Sequence, residues 1–391
     1  MKIGIDCLDI KPNYSGGINT YLFGLLDGFK NKKVKNIEFI IFCTKNNKHI
    51  FESYKDFKII EISSFNIVFR YCLLIPALIL NSIFLWKFTN DIYFKYFNIN
   101  SVFEKNCNLL YVPSTVLNSY NLNIPTILSM HDIQHVHYPE FFSKLRLRIR
   151  NLNFVNSAKK ATLIQASSLF IKQDLLNNFK FLKPESVKVI SEGVDINLFK
   201  KSLLNNIFKK YNIPKKFIFF PAQLWYHKNH LFVLESLKRI EKNKKIKISL
   251  VLTGAKFVAY NEIKIFLDNN KMSNVYYLGK IPWLDIVALY RNSKAMITAT
   301  LYESSSLPIL EAAASGIPVI AGNNAPNLEL SQNLNLNLFD LNDQNEIDEV
   351  VFNLWTDQIN LKKQILHNNE NIFKYSWDSV ALSYLKLFKS L

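Results

Sequence analysis

Two glutamates bracket a run of small hydroxyl residues in the segment Glu303-Ser-Ser-Ser-Leu-Pro-Ile-Leu-Glu311. Apolar runs at 295–300, 307–314 and 318–321 surround it and predict a strand, a loop, a helix and a second strand. A loop of this kind presents backbone N–H groups at a helix N-terminus, where an anion binds well. Glu311 falls about one turn inside the helix, where its carboxylate can accept hydrogen bonds from vicinal hydroxyls such as those of a ribose. A helix cap with incidental acids is the alternative interpretation.

A lysine stands beside a second predicted helix N-terminus. It closes the loop Pro221-Ala-Gln-Leu-Trp-Tyr-His-Lys228, which follows an apolar run. Its charge adds to the positive field of the helix end and suits a diphosphate. A solitary surface lysine is the alternative, and the aromatic, histidine and asparagine neighbours favour the functional interpretation.

His131 and Asp132 follow the predicted strand 126–130, with His135 and His137 in the same loop. The spacing of His131 and His135 fits a helix face, but no glutamate completes an HExxH pattern, so we expect no metal site. A polar group that hydrogen-bonds a substrate is the favoured interpretation, and an ordinary loop role is the alternative.

Two weaker signals lie elsewhere. Gly16 and Gly17 follow the first predicted strand and let backbone approach a ligand closely, but they do not form the GxGxxG fingerprint and also suit an ordinary turn. Arg146 and Arg150 share one face of a predicted helix. They suit an acceptor phosphate or a lipid headgroup, or simply a solvated helix face.

The elements that must position these residues alternate along the chain. Buried strands that alternate with helices predict an α/β fold with parallel, doubly wound sheets. The pattern breaks at 192–199 and in a lysine-rich stretch to residue 216, for which we expect little order, and then restarts. We therefore expect two α/β domains. The runs that predict strands are 2–7, 38–43, 58–62, 109–113, 126–130, 162–166, 187–190, 217–222, 248–253, 275–278, 295–300, 318–321 and 334–339.

Composition limits the class of protein. The 391 residues suit two domains, and a hydrophobic content of 49% allows a sizeable core. A net charge of +17 favours an anionic partner, which could be nucleic acid, a membrane surface or a phosphorylated ligand. The four cysteines form no CxxC pair, Cys7 and Cys43 are expected to be buried, and we expect no signal peptide. These features predict a cytoplasmic protein.

The stretch 71–86 (YCLLIPALILNSIFLW) is apolar and uncharged, so we considered whether it crosses or contacts a membrane. It is shorter than the ~20 residues that span a bilayer. We predict one buried or surface-apolar helix. An in-plane membrane contact is the alternative, supported by Phe69, Trp86, Lys87 and Phe88, and a true membrane span is the remaining one.

Taken together, these segments resemble the GT-B retaining glycosyltransferases of family 4, also called glycosyl transferases group 1. The family's hallmark, E-G-F-G-L-P-x-x-E, corresponds to ESSSLPILE here, and AAASGIPVIAG continues it. The glycine pair at 16–17, the His-Asp at 131–132, the Glu-Gly-Val-Asp turn at 192–195 and the Tyr-Ser-Trp at 375–377 also fit, in the right order.

The resemblance implies two Rossmann-like doubly wound domains that face each other across a cleft. Residues 1–199 would form the N-terminal acceptor-binding domain, together with a C-terminal helix, 376–391, that crosses back to it. Residues 200–375 would form the nucleotide-sugar-binding domain.

The resemblance also implies a role for each site residue. In the nucleotide-sugar domain, Glu311 would hold the donor ribose and Glu303 the donor sugar. Lys228 would hold the diphosphate, and Ile281 would lie near the base. The remaining expected contacts are the sugar contact His131, the loop of Gly16 and Gly17 that closes over the diphosphate, and the backbone N–H groups near Ser305, Ser306 and Leu307.

The chemistry of glycosyl transfer fits these roles because charge develops on the leaving diphosphate. The sequence has no DxD acid pair, so we expect neither metal nor cofactor; the lysine, the helix dipole and backbone amides would stabilise the leaving group. Gln223, expected among the donor-binding residues, stands where the family usually has arginine. One diphosphate cation is therefore missing, and we expect His227 or another basic group to replace it. Serines replace the glycines after Glu303.

The leading hypothesis is a hexosyltransferase. It would transfer a hexose from a nucleotide diphosphate sugar, expected to be UDP- or GDP-linked, to a saccharide acceptor. That acceptor is expected to be lipid-linked, in bacterial surface polysaccharide synthesis (O-antigen, capsule or lipopolysaccharide) at the inner face of the cytoplasmic membrane. A nucleotide-sugar 2-epimerase of the same fold and a non-catalytic nucleotide-sugar-binding subunit are the alternatives. No nucleic acid partner is expected.

Overall fold

The computed structural model describes residues 1–12, 17–32, 36–62, 67–201, 206–357 and 361–391. These residues divide into two compact units. Unit 1 consists of Met1–Glu192 and Trp377–Leu391, and unit 2 consists of Gly193–Ser376.

Unit 1 is built on a seven-stranded parallel sheet with the order β3-β2-β1-β4-β5-β6-β7. Its strands are β1 (Lys2–Asp6), β2 (Glu38–Cys43), β3 (Lys58–Glu61), β4 (Leu109–Val112), β5 (Thr126–Ser129), β6 (Leu163–Ala166) and β7 (Val187–Val189). The helices between them are α1 (Gly17–Lys32), α2 (Ile67–Leu80), α3 (Ile83–Tyr96), α4 (Ile99–Asn106), α5 (Gln134–His137), α6 (Lys144–Lys160) and α7 (Leu169–Asn178).

Unit 2 is built on a six-stranded parallel sheet with the order β10-β9-β8-β11-β12-β13. Its strands are β8 (Ile218–Pro221), β9 (Leu250–Thr253), β10 (Val275–Tyr277), β11 (Ala295–Thr298), β12 (Val319–Gly322) and β13 (Asn337–Phe339). Its helices are α8 (Ile196–Lys200), α9 (Ile207–Tyr211), α10 (His230–Lys244), α11 (Tyr260–Asn269), α12 (Trp283–Asn292), α13 (Leu307–Ala314), α14 (Ala325–Ser331), α15 (Gln344–Trp355) and α16 (Leu361–Asn371).

The predicted alternation of strands and helices is confirmed. Each of the thirteen runs predicted as strands overlaps an observed strand, and the ends differ by no more than three residues. The central strands β4, β5, β9 and β11 are buried along their whole length. Strands covered on both sides favour apolar residues at most positions, which is why they are visible in the sequence as nearly continuous apolar runs. Cys7 and Cys43 are buried as predicted.

The division between the units lies before residue 193, whereas the sequence led us to expect it after residue 199. The reason is that Val194, Ile196 and Phe199 are buried in the core of unit 2. The expectation of little order up to residue 216 was also wrong for the described part, which contains α8 and α9. Residues 202–205 lie outside the described residues.

The last helix, α17 (Trp377–Lys389), belongs to unit 1 and packs against α1. Two glycines of α1 make the close approach possible. A Cβ atom on Gly24 would lie 2.0 Å from the indole of Trp377, and one on Gly28 would lie 2.5 Å from the Trp377 carbonyl oxygen. The hydroxyl of Tyr384 is hydrogen-bonded to that of Tyr21 on α1.

The stretch 71–86 forms parts of two helices, α2 and α3, so the prediction of a single helix was wrong. Asn81 adopts a left-handed conformation with φ of 49°, which asparagine tolerates better than most residues. Ser82 then caps α3, because its hydroxyl accepts a hydrogen bond from the backbone N–H of Leu85 at 3.3 Å. No helix in the described part of the chain is long and apolar enough to cross a membrane.

Candidate functional site

The carboxyl edge of the unit 2 sheet gathers most of the predicted residues. Four neighbouring parallel strands, β10, β9, β8 and β11, all end at this edge. Lys228 lies on the loop after β8, Ile281 on the loop after β10, and Glu303 on the loop after β11. Ligands of open α/β sheets bind at this edge, so this is the candidate site, which we call the unit 2 edge site.

The strand, loop, helix and strand predicted around 303–311 are present as β11, α13 and β12. The two strands pair in parallel, with Met296 opposite Val319. Pro308 lies in the first turn of α13, where the missing N–H costs little. Ser306 stands at the N-cap without a side-chain capping bond, and its buried hydroxyl has no hydrogen-bond partner among the described residues. A buried hydroxyl in this state at a helix N-terminus is available to an anion.

Lys228 and Glu303 form an ion pair in this site. The Nζ atom of Lys228 donates a hydrogen bond to Oε1 of Glu303 at 2.8 Å. Both side chains are largely shielded from solvent, with 18% and 13% of their surfaces exposed. The loops are also joined through the backbone, because the N–H of Leu301 donates to the carbonyl oxygen of His227 at 2.8 Å. The predicted cation and the first predicted acid are therefore in direct contact.

Two histidines next to Lys228 carry no charge near neutral pH. Burial, followed by the Lys228 ammonium and His230, lowers the pKa of His227 to about 3. Burial and Lys228 likewise lower the pKa of His230 to about 3. The ring of His230 stacks on Phe220 with centroids 4.3 Å apart. Lys228 is thus the cation of this loop, and His227 supplies none in place of the family's arginine.

Glu311 is held by a residue that sequence reasoning missed. The phenol of Tyr290, on α12, donates a hydrogen bond of 2.6 Å to Oε2 of Glu311. Burial and the neighbouring carboxylate raise the pKa of Tyr290 well above its ordinary value, so the phenol stays protonated and can donate. The rings of Phe199 and Phe219 contact Tyr290 edge-on, at centroid distances of 5.6 and 5.0 Å. No spacing rule links Tyr290 to Glu311, which is 21 residues away.

Gln223, in the position where the family usually has arginine, takes part in a local aromatic arrangement. Its Oε1 atom accepts a hydrogen bond from the indole N–H of Trp225 at 3.0 Å. The Trp225 ring in turn stacks on Phe257, with centroids 3.9 Å apart. This position therefore contributes a neutral amide that is held in place by an indole.

The loop after β10 is tied to the loop after β9. The N–H of Gly254 donates to the carbonyl oxygen of Gly279 at 2.9 Å, and the Tyr277 hydroxyl donates to the Gly254 carbonyl oxygen at 2.8 Å. Gly254 has φ of +125°, and a Cβ atom there would lie 2.4 Å from the carbonyl oxygen of Ala222. The hydrogen bond from Gly254 to Gly279 holds the backbone shortly before Ile281, whose side chain packs against the unit 2 core.

His131 lies in unit 1 after β5. Its Nε2 donates a hydrogen bond to the carbonyl oxygen of Pro113 at 2.9 Å, and its Nδ1 lies 3.8 Å from Oε1 of Glu192. Burial alone would lower the pKa of His131, but the Glu192 carboxylate and the Pro113 carbonyl outweigh it and raise that pKa. Tyr21 contacts the ring edge-on at 4.9 Å.

The arginines of α6 share a face, as predicted. The guanidinium groups of Arg146 and Arg150 lie 5.3 and 4.9 Å from the ring centre of Phe142. Arg150 also donates to Oδ1 of Asp132 at 3.3 Å. It therefore has an internal partner, while Arg146 is exposed.

Of the remaining histidines of this loop, His135 packs edge-on against Phe154 and His137 contacts a carboxylate. Burial and the charge of Arg150 lower the pKa of His135 to about 4. Nε2 of His137 lies 2.7 Å from a carboxylate oxygen of Asp174. Among the described residues, no group of three or more histidine, cysteine or acidic side chains is arranged to hold a metal ion.

Gly17 is exposed at the start of α1, and Gly16 lies outside the described residues.

Part of the chain matches a known protein family. Residues 205–371 match the family model described as glycosyl transferases group 1. The matched residues lie within unit 2. The match agrees with the resemblance inferred from the sequence, and assignment to family 4 stays a prediction.

Two curated relatives from Escherichia coli match part of the chain. An O-antigen chain mannosyltransferase B is 22% identical over 200 residues, which are 50% of this chain and 52% of the relative. A UDP-Gal:alpha-D-GlcNAc-diphosphoundecaprenol alpha-1,3-galactosyltransferase is 29% identical over 171 residues, 42% of this chain and 43% of the relative. The matches thus span about half the length of these relatives.

Among solved structures, Anabaena HepE in complex with UDP and glucose has a TM-score of 0.71. It is 18% identical in sequence, and the comparison covers 100% of both chains. At this identity the likeness concerns the fold. The predicted class, α/β of the GT-B type with two Rossmann-like doubly wound units, is confirmed.

Proposed function

We propose that this protein is a metal-independent retaining glycosyltransferase. It moves a hexose from a nucleotide diphosphate sugar, UDP- or GDP-linked, to a saccharide acceptor. The acceptor is a lipid-linked saccharide of bacterial surface polysaccharide synthesis. The names of the E. coli relatives support this class of donor and acceptor.

The unit 2 edge site carries the proposal. Its two glutamates have different partners, since Glu303 pairs with Lys228 at 2.8 Å and Glu311 accepts from Tyr290 at 2.6 Å. Between the two acids lie the N-terminus of α13 and the unpartnered hydroxyl of Ser306. Ribose at Glu311, diphosphate at the helix N-terminus and sugar at Glu303 would follow one another in the order of a nucleotide sugar. Backbone N–H groups near Ser305 and Leu307 complete the anion site.

The proposed reaction breaks the bond between the anomeric carbon and the diphosphate oxygen. The acceptor hydroxyl attacks from the same face, and its proton passes to a departing phosphate oxygen. Lys228 shares its charge between Glu303 and the leaving diphosphate, where negative charge develops. His131 is proposed as a sugar contact of unit 1, where the Glu192 carboxylate, 3.8 Å from its Nδ1, would orient the ring.

A transfer assay tests this proposal. The full chain is incubated with UDP-, GDP-, ADP- and dTDP-hexoses, with and without a polyprenyl-diphosphate-linked saccharide, and the anomeric configuration of the product is determined by NMR. We expect transfer that depends on acceptor, with retained configuration. Interconversion of the donor alone would indicate a 2-epimerase, and donor binding without turnover would indicate a non-catalytic subunit.

A further inference from the structure

The outer face of α3 is apolar, which is unusual for a helix face that points to solvent. Phe84, Phe88, Ile92 and Tyr96 recur every four residues and therefore lie on one side of the helix. They are 73%, 53%, 46% and 78% exposed, respectively. Phe84 and Phe88 stack on each other with ring centroids 6.3 Å apart.

The opposite face of α3 holds the helix firmly on unit 1. Trp86, Asn90 and Tyr93 are fully buried. The buried guanidinium of Arg70, on α2, donates to Oδ1 of Asn90 at 2.7 Å. The buried face of α3 therefore holds the helix in place, and the outer stripe remains at the surface of unit 1.

Helix α2 extends the apolar surface towards the turn between the two helices. Ile75, Ile79 and Leu80 are 48%, 69% and 67% exposed. Ile83, just after the turn, is 38% exposed. Single exposed hydrophobic residues are ordinary, but a continuous set along two packed helices marks an interaction surface. We call this surface, formed by the outer faces of α2 and α3, the hairpin face.

Basic residues flank the hairpin face. Lys95 is exposed beside Tyr96. Lys160, at the end of α6, lies next to Lys87 of α3, and burial together with that second ammonium lowers the pKa of Lys160. Asp91 is the nearby acid, and it accepts a hydrogen bond from Asn121 at 2.6 Å. The positive excess agrees with the net charge of +17 for the whole chain.

We propose that the hairpin face lies in the plane of an anionic lipid bilayer, with the apolar stripe below the headgroups and the lysines against them. This inference rests on the proposed function, because a transferase with a lipid-linked acceptor has to work at a membrane surface. Helices of 14 residues are ~21 Å long, too short to span but suited to lie at the interface.

Vesicle co-sedimentation of the full chain tests the proposal. Vesicles of phosphatidylcholine with phosphatidylglycerol (about 7:3) are compared with pure phosphatidylcholine, because anionic headgroups should strengthen binding. The double variant Phe84→Asp/Phe88→Asp should bind the anionic vesicles about tenfold or more weakly. Ile265→Asp/Leu366→Asp is the matched control, because both residues are exposed hydrophobics of unit 2. Lys87→Gln/Lys95→Gln should weaken binding to anionic vesicles and leave the residual binding to neutral ones unchanged.

Three outcomes would overturn the proposal: a wild-type chain that stays in the supernatant with both vesicles, equal binding by the Phe84/Phe88 variant, or a dimer in solution that this variant dissociates while vesicle binding is absent. Transfer to a short water-soluble acceptor separates this proposal from the proposed function. The Phe84/Phe88 variant should retain that transfer, which also shows that it is folded. A wild type that binds vesicles but transfers nothing would contradict the proposed function alone.

Discussion

The phenol of Tyr290 donates a 2.6 Å hydrogen bond to the carboxylate of Glu311. Tyr290 is itself held edge-on by Phe199 from α8 and Phe219 from β8. The orientation of the proposed ribose-binding acid is therefore fixed by three elements outside its own helix. This arrangement pre-orients the carboxylate before a ligand arrives, which reduces the cost of ordering it on binding.

Replacing Tyr290 tests this orientation. Tyr290→Phe should weaken nucleotide binding by about tenfold, because a hydrogen bond to a charged group contributes about 1.5–3 kcal/mol. Glu311→Gln should weaken it further, and the double variant should be no worse than Glu311→Gln, since the two act through one contact. Dissociation constants from calorimetry provide the measurement, with Tyr96→Phe as the control on unit 1. An additive double variant would show that Tyr290 acts independently of Glu311.

Lys228 should matter more for turnover than for affinity. Because the leaving diphosphate gains charge in the transition state, Lys228→Gln should lower kcat by about 10²–10³-fold and change KM less. Steady-state kinetics with saturating acceptor measure both constants. Lys264→Gln, an exposed lysine of the same unit, should match wild type. Equal kcat values for the two lysine variants would remove Lys228 from the mechanism.

The buried His230 should make the protein sensitive to acid. Its pKa is about 3 in the folded chain, compared with 6.5 without burial. As the pH falls below 6.5, this histidine binds a proton in the unfolded chain, whereas in the folded chain it binds one only near pH 3. The free energy of unfolding therefore decreases between these two pH values. His230→Phe, which preserves stacking on Phe220, should therefore gain about 2 kcal/mol relative to wild type between pH 7 and pH 5.

Urea denaturation at the two pH values measures this difference. His49→Gln, an exposed histidine, is the control and should follow wild type. If His230→Phe and wild type lose the same stability on acidification, His230 is protonated in the folded chain and the assignment of a neutral ring is wrong.

The close packing of α1 and α17 predicts a further effect on stability. Gly24→Ala should destabilise unit 1 by about 1–3 kcal/mol, because the added methyl would lie 2.0 Å from the buried indole of Trp377. Gly17→Ala is a suitable comparison, since its Cβ would meet nothing within 4 Å. Urea denaturation followed by tryptophan fluorescence measures both. A Gly24→Ala variant as stable as Gly17→Ala would show that α17 does not pack tightly on α1.

The features that could be predicted from the sequence are those that depend on residues close together along the chain. The parallel strands were visible because burial on both faces demands apolar runs, and α13 was visible because Pro308 and the serines mark its start. Lys228 and Glu303 could be placed at the carboxyl ends of strands in one parallel sheet, but their direct contact was not predicted.

Other features depend on contacts between distant residues and could not be found this way. The Tyr290 to Glu311 bond and the Arg150 to Asp132 pair join residues that no periodicity relates. The domain boundary was misplaced because the apolar character of α8 does not reveal which core it enters. The break in the helix at Asn81 rests on a single left-handed residue inside an apolar run.

Direct titration of nucleotide sugars tests the central claim, that the unit 2 edge site binds the donor of a glycosyltransferase. The full chain and its Glu311→Ala, Lys228→Ala and Glu262→Gln variants are titrated calorimetrically with UDP-, GDP-, ADP- and dTDP-hexoses. We predict that at least one nucleotide sugar binds wild type and the exposed Glu262→Gln control alike, and that Glu311→Ala weakens this binding by about tenfold or more. Binding that all variants share, or no binding of any nucleotide sugar, would contradict the account.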